Sequence, residues 1–422
     1  MSWRGDYYLR PRRRRNWGPW ILVLLLTIAL VMVVLYFTGG LQTIMTLFYE
    51  RTGVVVAPDL IQTPTPPGAD VQKLLAEGQK YYLAGQLKEA ISVYRLALRT
   101  DPNNAEANMQ LGRMLALTRR TGEAITYCQK AVDLNVEARR RNDSPDLARD
   151  GARYLAYLGM AYDWNGNYGE AIRVCVLAID TDPDVAEGYA FLAEAYADTF
   201  QLDKALDLAR QAVQLDERCV EAYRNLGYVL EKRGDYQEAV SKYKRAIALH
   251  PNLAYLHTSL GRNYRTLGQY EEAIISFQKA ADLDKEDPEP IDLIGLVYYD
   301  QRNYPEAITQ FERALQINPN YAVAYGHIGW CYYAQQEFEK ALPYFKKAIE
   351  LDPPAARKAE FLAELGWCYV HLKNCKEARV HLGAALELDK TLKLAWDGLA
   401  ACQPRQDTPT PLPTTPTPGQ AP

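Results

Sequence analysis

The sequence predicts an all-α solenoid of helix pairs, about nine units with a closing helix, preceded by one transmembrane helix. Three observations predict it. Alanine recurs at Ala90, Ala124, Ala171, Ala205, Ala239, Ala273, Ala307, Ala341 and Ala378, at intervals of 34 residues broken only by one of 47 and one of 37. A second alanine follows each of these seven residues later, from Ala97 to Ala385. An almost wholly apolar run, Trp20 to Phe37, lies in a window without charge from Asn16 to Tyr49.

The repeat is explained by helix packing. Small residues at fixed positions let two helix backbones approach at the short end of the usual 8 to 10 Å interaxial range. Twelve residues before the first alanine of a unit stands glycine (78, 112, 159, 227, 261, 295, 329 and 366), replaced by Ala193 in the fourth unit. Four residues after it, Tyr94, Tyr243, Phe277, Phe311 and Phe345 supply an aromatic to fill the space between a pair and its neighbour. Gly85, Gly166, Gly234 and Gly268 mark the turn inside a pair, and Pro102, Pro183, Pro251, Pro319 and Pro353 end the second helix.

Units such as residues 225 to 251 (NLGYVLEKRGDYQEAVSKYKRAIALHP) and 259 to 284 resemble tetratricopeptide repeats. The resemblance covers about residues 71 to 403 and implies antiparallel helix pairs stacked into a right-handed superhelix. It places units near 71–104, 105–138, 152–185, 186–219, 220–253, 254–287, 288–321, 322–355 and 359–392, with a closing helix at 393–403, so that the solenoid occupies 70–403. Between the second and third units an insertion around Glu137 to Ala152 predicts lengthened helices, with Ser144 as N-cap and Pro145 in the first turn. Arg139 to Arg141 read there as a solvated helix face.

Outside the repeats, residues 1–19 form a basic segment, with Arg4, Arg10 and Arg12 to Arg15 opposed only by Asp6. The apolar run reaches about 27 Å as a helix, close to a hydrocarbon thickness of about 30 Å. A transmembrane helix is therefore expected over 20–38, with Trp17, Trp20 and Tyr36 at its ends, the N-terminus cytoplasmic and the solenoid extracytoplasmic. Residues 39–69 read as a membrane-proximal segment and Pro/Thr linker, and 404–422 as a disordered Pro/Thr tail.

Net charge is −4, and subtracting the +5 of the first twenty residues leaves −9 on the remainder. Such a body disfavours nucleic acid, whose binding draws on Lys and Arg against phosphates. The seven cysteines include no C-x-x-C pair and their odd number argues against a complete disulfide framework; Cys128 and Cys175 fall at core positions. The five histidines are scattered over different units, no metal or cofactor site is expected, and no catalytic motif is found.

Function is therefore expected in binding. The resemblance places the inner surface on the first helix of each unit, and the positions carried over are Arg224, Tyr228, Arg262, Arg265, Asp292, Tyr299, Trp330, Tyr333 and Trp367, basic giving way to aromatic. Chaperone-binding members clamp a terminal carboxylate with Lys and Asn; the corresponding residues here are Leu75 and Gln79, then Met109 and Arg113, so the clamp is not carried over. Arg224 and Arg262 are candidates to grip an acidic peptide. The expectation is a membrane-tethered, non-catalytic scaffold that contacts the bilayer through 20–38 and binds a protein or peptide partner. The alternative is a carbohydrate-binding or polysaccharide-assembly module using the groove aromatics.

Overall fold

The computed structural model describes residues 70–142 and 144–403. They lie within one compact unit that begins at Asp70. Among the described residues there are nineteen helices. They pair as α1 (Val71–Leu83) with α2 (Leu87–Thr100), α3 (Ala105–Leu117) with α4 (Thr121–Arg141), α5 (Pro145–Trp164) with α6 (Tyr168–Thr181), and α7 (Ala186–Asp198) with α8 (Leu202–Leu215). Then come α9 (Val220–Arg233) with α10 (Tyr236–Leu249), α11 (Ala254–Thr266) with α12 (Tyr270–Leu283), and α13 (Glu289–Asp300) with α14 (Tyr304–Ile317). The last pairs are α15 (Ala322–Ala334) with α16 (Phe338–Glu350) and α17 (Ala355–His371) with α18 (Cys375–Leu388), closed by α19 (Lys393–Ala401).

Each pair is held by the small residues that mark the repeat. Ala239, Ala246, Ala273, Ala280, Ala307 and Ala314 are fully buried. The glycine of the first helix receives the aromatic ring of the second: a Cβ on Gly261 would lie 2.6 Å from the Phe277 ring, and one on Gly295 would lie 2.5 Å from that of Phe311. No side chain fits there without moving the ring.

The two helices of a pair bury different amounts of themselves. In α7 the buried residues run almost continuously, including Tyr189, Ala190, Phe191, Leu192, Ala193, Glu194 and Ala195, whereas α8 buries only Ala205, Leu206, Ala209 and Ala212. A helix buried nearly all round lies inside the assembly and one with a single apolar stripe lies on its outside. First helices thus form the inner layer and second helices the outer one.

The turns inside the pairs share one device. Gly85, Gly166, Gly234 and Gly268 have φ between 72° and 88°, and Arg119, Phe200, Arg302, Gln336 and Lys373 hold the same left-handed conformation with φ of 58° to 62°. The insertion produces the expected long helices, 21 residues in α4 and 20 in α5, and Ser144 Oγ accepts from the Leu147 amide at 3.3 Å.

The fold class requires a correction. Among the described residues no helix is long and apolar enough to cross a membrane. The physical reason is the repeat's own patterning: α14 buries only Ala307, Phe311 and Ala314, and the longest helix, α4, ends in Arg139, Arg140 and Arg141. The transmembrane helix expected over 20–38 lies outside the described residues, as do 39–69 and 404–422. Among the described residues the fold is an all-α solenoid with no membrane-spanning helix, a finding that conflicts with the expected preceding span and single-pass localisation.

Five cysteines (128, 175, 219, 331 and 368) are buried free thiols, and Cys375 and Cys402 form a disulfide with Cα atoms 5.4 Å apart. The bridge ties the start of α18 to the residue that ends α19, a pairing the cysteine count does not reveal.

Candidate partner-binding surface

The inner layer closes on itself across one turn of the solenoid. Arg113 of α3 donates to the Tyr82 hydroxyl of α1 at 2.6 Å and to the Glu221 carboxylate of α9, with its guanidinium 4.3 Å from the Tyr82 ring centroid and 5.0 Å from that of Tyr157. The Tyr157 hydroxyl donates to the same carboxylate at 3.1 Å. Glu289 at the start of α13 accepts from both Arg119 and Arg262, and the Asn252 side-chain amide donates to the Leu83 carbonyl at 3.0 Å. Early and middle repeats therefore occupy one another's inner faces. What remains between them is a polar cavity of about 430 Å³, lined by Tyr82, Arg113, Arg153, Tyr157, Glu187 and Glu221 among others.

The basic residues expected to face a partner are engaged with their own neighbours. Arg224 on α9 is buried, and its guanidinium fork grips Glu194 of α7, with one N–H to O distance of 2.9 Å. Trp164 Nε1 donates to the same carboxylate at 2.9 Å. Tyr228 donates to Asp198, which also pairs with Lys232 at 2.9 Å. Beneath them Asp163 is 3% exposed and both its carboxylate oxygens lack a hydrogen-bond partner. Burial, then Glu194 and Asp198, push its carboxyl up to about 9.

Further along, Arg265 forms a bidentate pair with Asp300 at 2.6 and 3.1 Å. Asp292 is buried against His327 Nδ1 at 2.9 Å. Arg262 is exposed but pairs with Glu289. The Arg224 side chain is thus unavailable to an acidic peptide, and Asp292 serves the packing of α13 against α15.

The aromatic half behaves differently. Tyr299, Trp330, Tyr333 and Trp367 are all partly exposed. The Tyr299 and Trp330 ring centroids lie 6.4 Å apart. Trp330 Nε1 donates to Glu364 of α17, and Trp367 Nε1 to the Leu394 carbonyl at 2.9 Å, so both indoles are fixed in orientation and each side chain is left partly exposed. The Tyr333 hydroxyl lies 3.0 Å from His371 Nε2, and His371 stacks on Phe338 with centroids 4.3 Å apart. Burial pushes Glu364 up to about 8; the Trp330 N–H opposes the shift and Glu360 adds to it.

Glu364, His371 and Phe338 stand beside the four aromatics and are not among the residues expected from the sequence. The available signal was position: Glu364 and His371 flank Trp367 by three and four residues on one helix, where side chains share a face.

This arrangement of inner and outer helices defines an α-solenoid of stacked helix pairs. Residues 75–145, 218–286 and 291–353 match family descriptions that read Tetratricopeptide repeat, and those stretches are similar to that repeat. No curated protein matched the sequence. Among solved structures the chain is similar to the human IFIT1 dimer with m7Gppp-AAAA, at 20% identity over 80% of this chain and 81% of that one, with a TM-score of 0.52. It is also similar to yeast Tom70, at 18% identity over 80% and 82%, with a TM-score of 0.50. These likenesses show the fold alone. Tetratricopeptide-repeat proteins generally mediate protein–protein interactions and are typically non-enzymatic.

Proposed function

We propose that the protein is a non-catalytic scaffold that binds a segment of another protein on the inner face of its last three repeats, across Tyr299, Trp330, Tyr333 and Trp367. One observation carries this reading: in the early and middle repeats Arg113 and Arg224 are held by carboxylates of neighbouring inner helices, while the aromatic end keeps four partly exposed rings, two of them fixed through their indole N–H. Rigid aromatics with exposed faces are what binding hot spots are made of, since they bury much apolar area at little loss of conformational freedom. The polysaccharide alternative is not favoured, because the repeat family points to protein partners.

The test is selection of a displayed library of linear peptides against the full-length protein, repeated with Trp330→Ala combined with Trp367→Ala. Enriched peptides should bind the wild type at least about tenfold more tightly than the double variant, a difference of about 1.4 kcal/mol. Equal binding to both, with the variant's thermal midpoint retained, sinks the proposal.

A further inference from the structure

Glu364 sits at the centre of the aromatic patch without a counter-charge. Its carboxylate accepts from Trp330 Nε1, while Arg357, the cation of its own helix that acts on it electrostatically, is bonded to Glu360 at 2.7 Å. Among the described residues no Lys, Arg or His forms an ion pair with Glu364. Once ionised, its charge is felt by Tyr299 and Tyr333, whose hydroxyls are pushed up first by burial and also by this carboxylate. Trp367 lies one helical turn further along α17. A lone carboxyl among π-faces is complementary to a cation, because the rings present negative quadrupole and the carboxyl gains full charge when it ionises.

We infer that this patch is a cation-recognition subsite that takes a lysine or arginine side chain of the bound segment, with Glu364 as counter-charge and Trp330, Tyr299 and Tyr333 as walls. The inference rests on the peptide-binding reading and specifies the chemistry of its ligand. Charge complementarity of the whole body agrees, since the chain beyond its first twenty residues carries −9. Arginine residues of the middle repeats do not compete for the site, because Arg224, Arg262 and Arg265 are each held by a carboxylate of their own.

Recognition of this kind is linked to pH. In the free protein Glu364 titrates near 8, so at pH 7 it is mostly protonated, and a bound cation must draw its proton off. Affinity for a lysine side chain, itself charged to about pH 10, should rise as pH climbs from 7 to 9 by about tenfold, the ratio of ionised fractions. Other titratable and charged groups around the site include Arg357, Glu360, Cys368 and His371 on α17, His327, Cys331 and Tyr333 on α15, Tyr299 and Asp300 on α13, and Tyr304 on α14. The Glu364→Gln variant removes the carboxylate and leaves all of them in place.

The experiment pans two displayed libraries against the full-length protein, one random and one lacking lysine and arginine codons. Enrichment from the first alone, weakened about tenfold by Glu364→Gln and rising with pH only when Glu364 is present, supports the inference. Equal enrichment from both libraries overturns the cation subsite and leaves the peptide-binding reading standing. No enrichment from either overturns both. Should Glu364→Gln fail to fold, the pH profile of the wild type decides, and a flat profile from pH 7 to 9 sinks the inference.

Discussion

Arg113 and Glu221, 108 residues apart, form a buried ion pair across the turn of the solenoid, each side chain about a tenth exposed. Burial alone would push the Glu221 carboxyl up, but Arg113, its own backbone amide and the Tyr157 hydroxyl outweigh that and hold it below its ordinary value. A lowered folded value means stability that is present above the ordinary carboxylate range and is lost as pH falls through the folded value. The pair therefore couples closure of the turn to an ionised Glu221.

Removing one partner strands the other. Arg113→Met is expected to cost about 3 to 5 kcal/mol of unfolding free energy, while Arg113→Met combined with Glu221→Leu should recover most of that loss. Urea unfolding of the wild type, each single variant and the double variant checks this as a double-mutant cycle. Additive losses would show that the two side chains do not act on each other.

Asp163 has the opposite sign. Its carboxyl is raised to about 9 in the folded chain, so the folded state holds a proton that the unfolded state releases above the ordinary aspartate range. Between about pH 4, the unfolded value, and the folded value, stability falls as pH rises, by up to about 1.4 kcal/mol per unit. Asp163→Asn keeps the shape and cannot ionise. It is expected to be more stable than wild type at pH 8 and to flatten the pH dependence, as measured by thermal midpoints from pH 5 to 9. A variant that tracks the wild type across that range would contradict the assignment.

What the sequence makes legible follows from which constraints are local. The pairing of helices demands small residues at fixed intervals, and the glycine of one helix meets the residue sixteen positions later, as Gly78 meets Tyr94 and Gly366 meets Leu382. A periodic pattern can carry such a constraint. The state of Arg224 cannot be read this way. It stands where the inner surface was expected, yet Glu194 on the preceding inner helix neutralises it, and that pairing depends on the offset between adjacent helices. Turns show the same limit: glycine marks four of nine, while Arg119, Phe200, Arg302, Gln336 and Lys373 adopt the left-handed conformation because the flanking helices impose it. The Cys375–Cys402 bridge depends on how α19 folds back on α18, which a count of seven thiols does not encode.

Two glycines of the inner and outer layers should respond oppositely to the same change. Gly261→Ala places a Cβ 2.6 Å from the Phe277 ring, which is fully buried and has nowhere to move, so it is expected to cost about 1 to 3 kcal/mol. In Gly383→Ala, within α18, the new Cβ meets nothing within 4 Å, and the gain in helix propensity should stabilise by about 0.5 to 1 kcal/mol. Chemical denaturation of the two variants separates the cases, and a stabilising Gly261→Ala would refute the ring-in-glycine account of the pair.

The closing helix gives the last test. α19 has nine residues, too few to persist alone, and it buries Ala395 and Gly398 against the preceding pair while leaving Trp396 exposed. Its hold on the solenoid comes from packing, from Arg379 donating to the Cys402 carbonyl at 2.6 Å, and from the disulfide to Cys375. A bridge closing a loop of 27 residues removes unfolded-state entropy worth about 3 to 4 kcal/mol. Cys402→Ser should lower stability by up to about that amount and speed amide exchange in α19 before any other helix. Hydrogen exchange on the oxidised wild type, the same protein reduced, and the variant reads this directly. The reduced wild type and the variant are expected to agree, and Trp367, whose indole N–H is held by the Leu394 carbonyl, should loosen with them. Unchanged protection of α19 in both would show that packing alone retains the helix, and that the bridge is dispensable to the aromatic surface beside it.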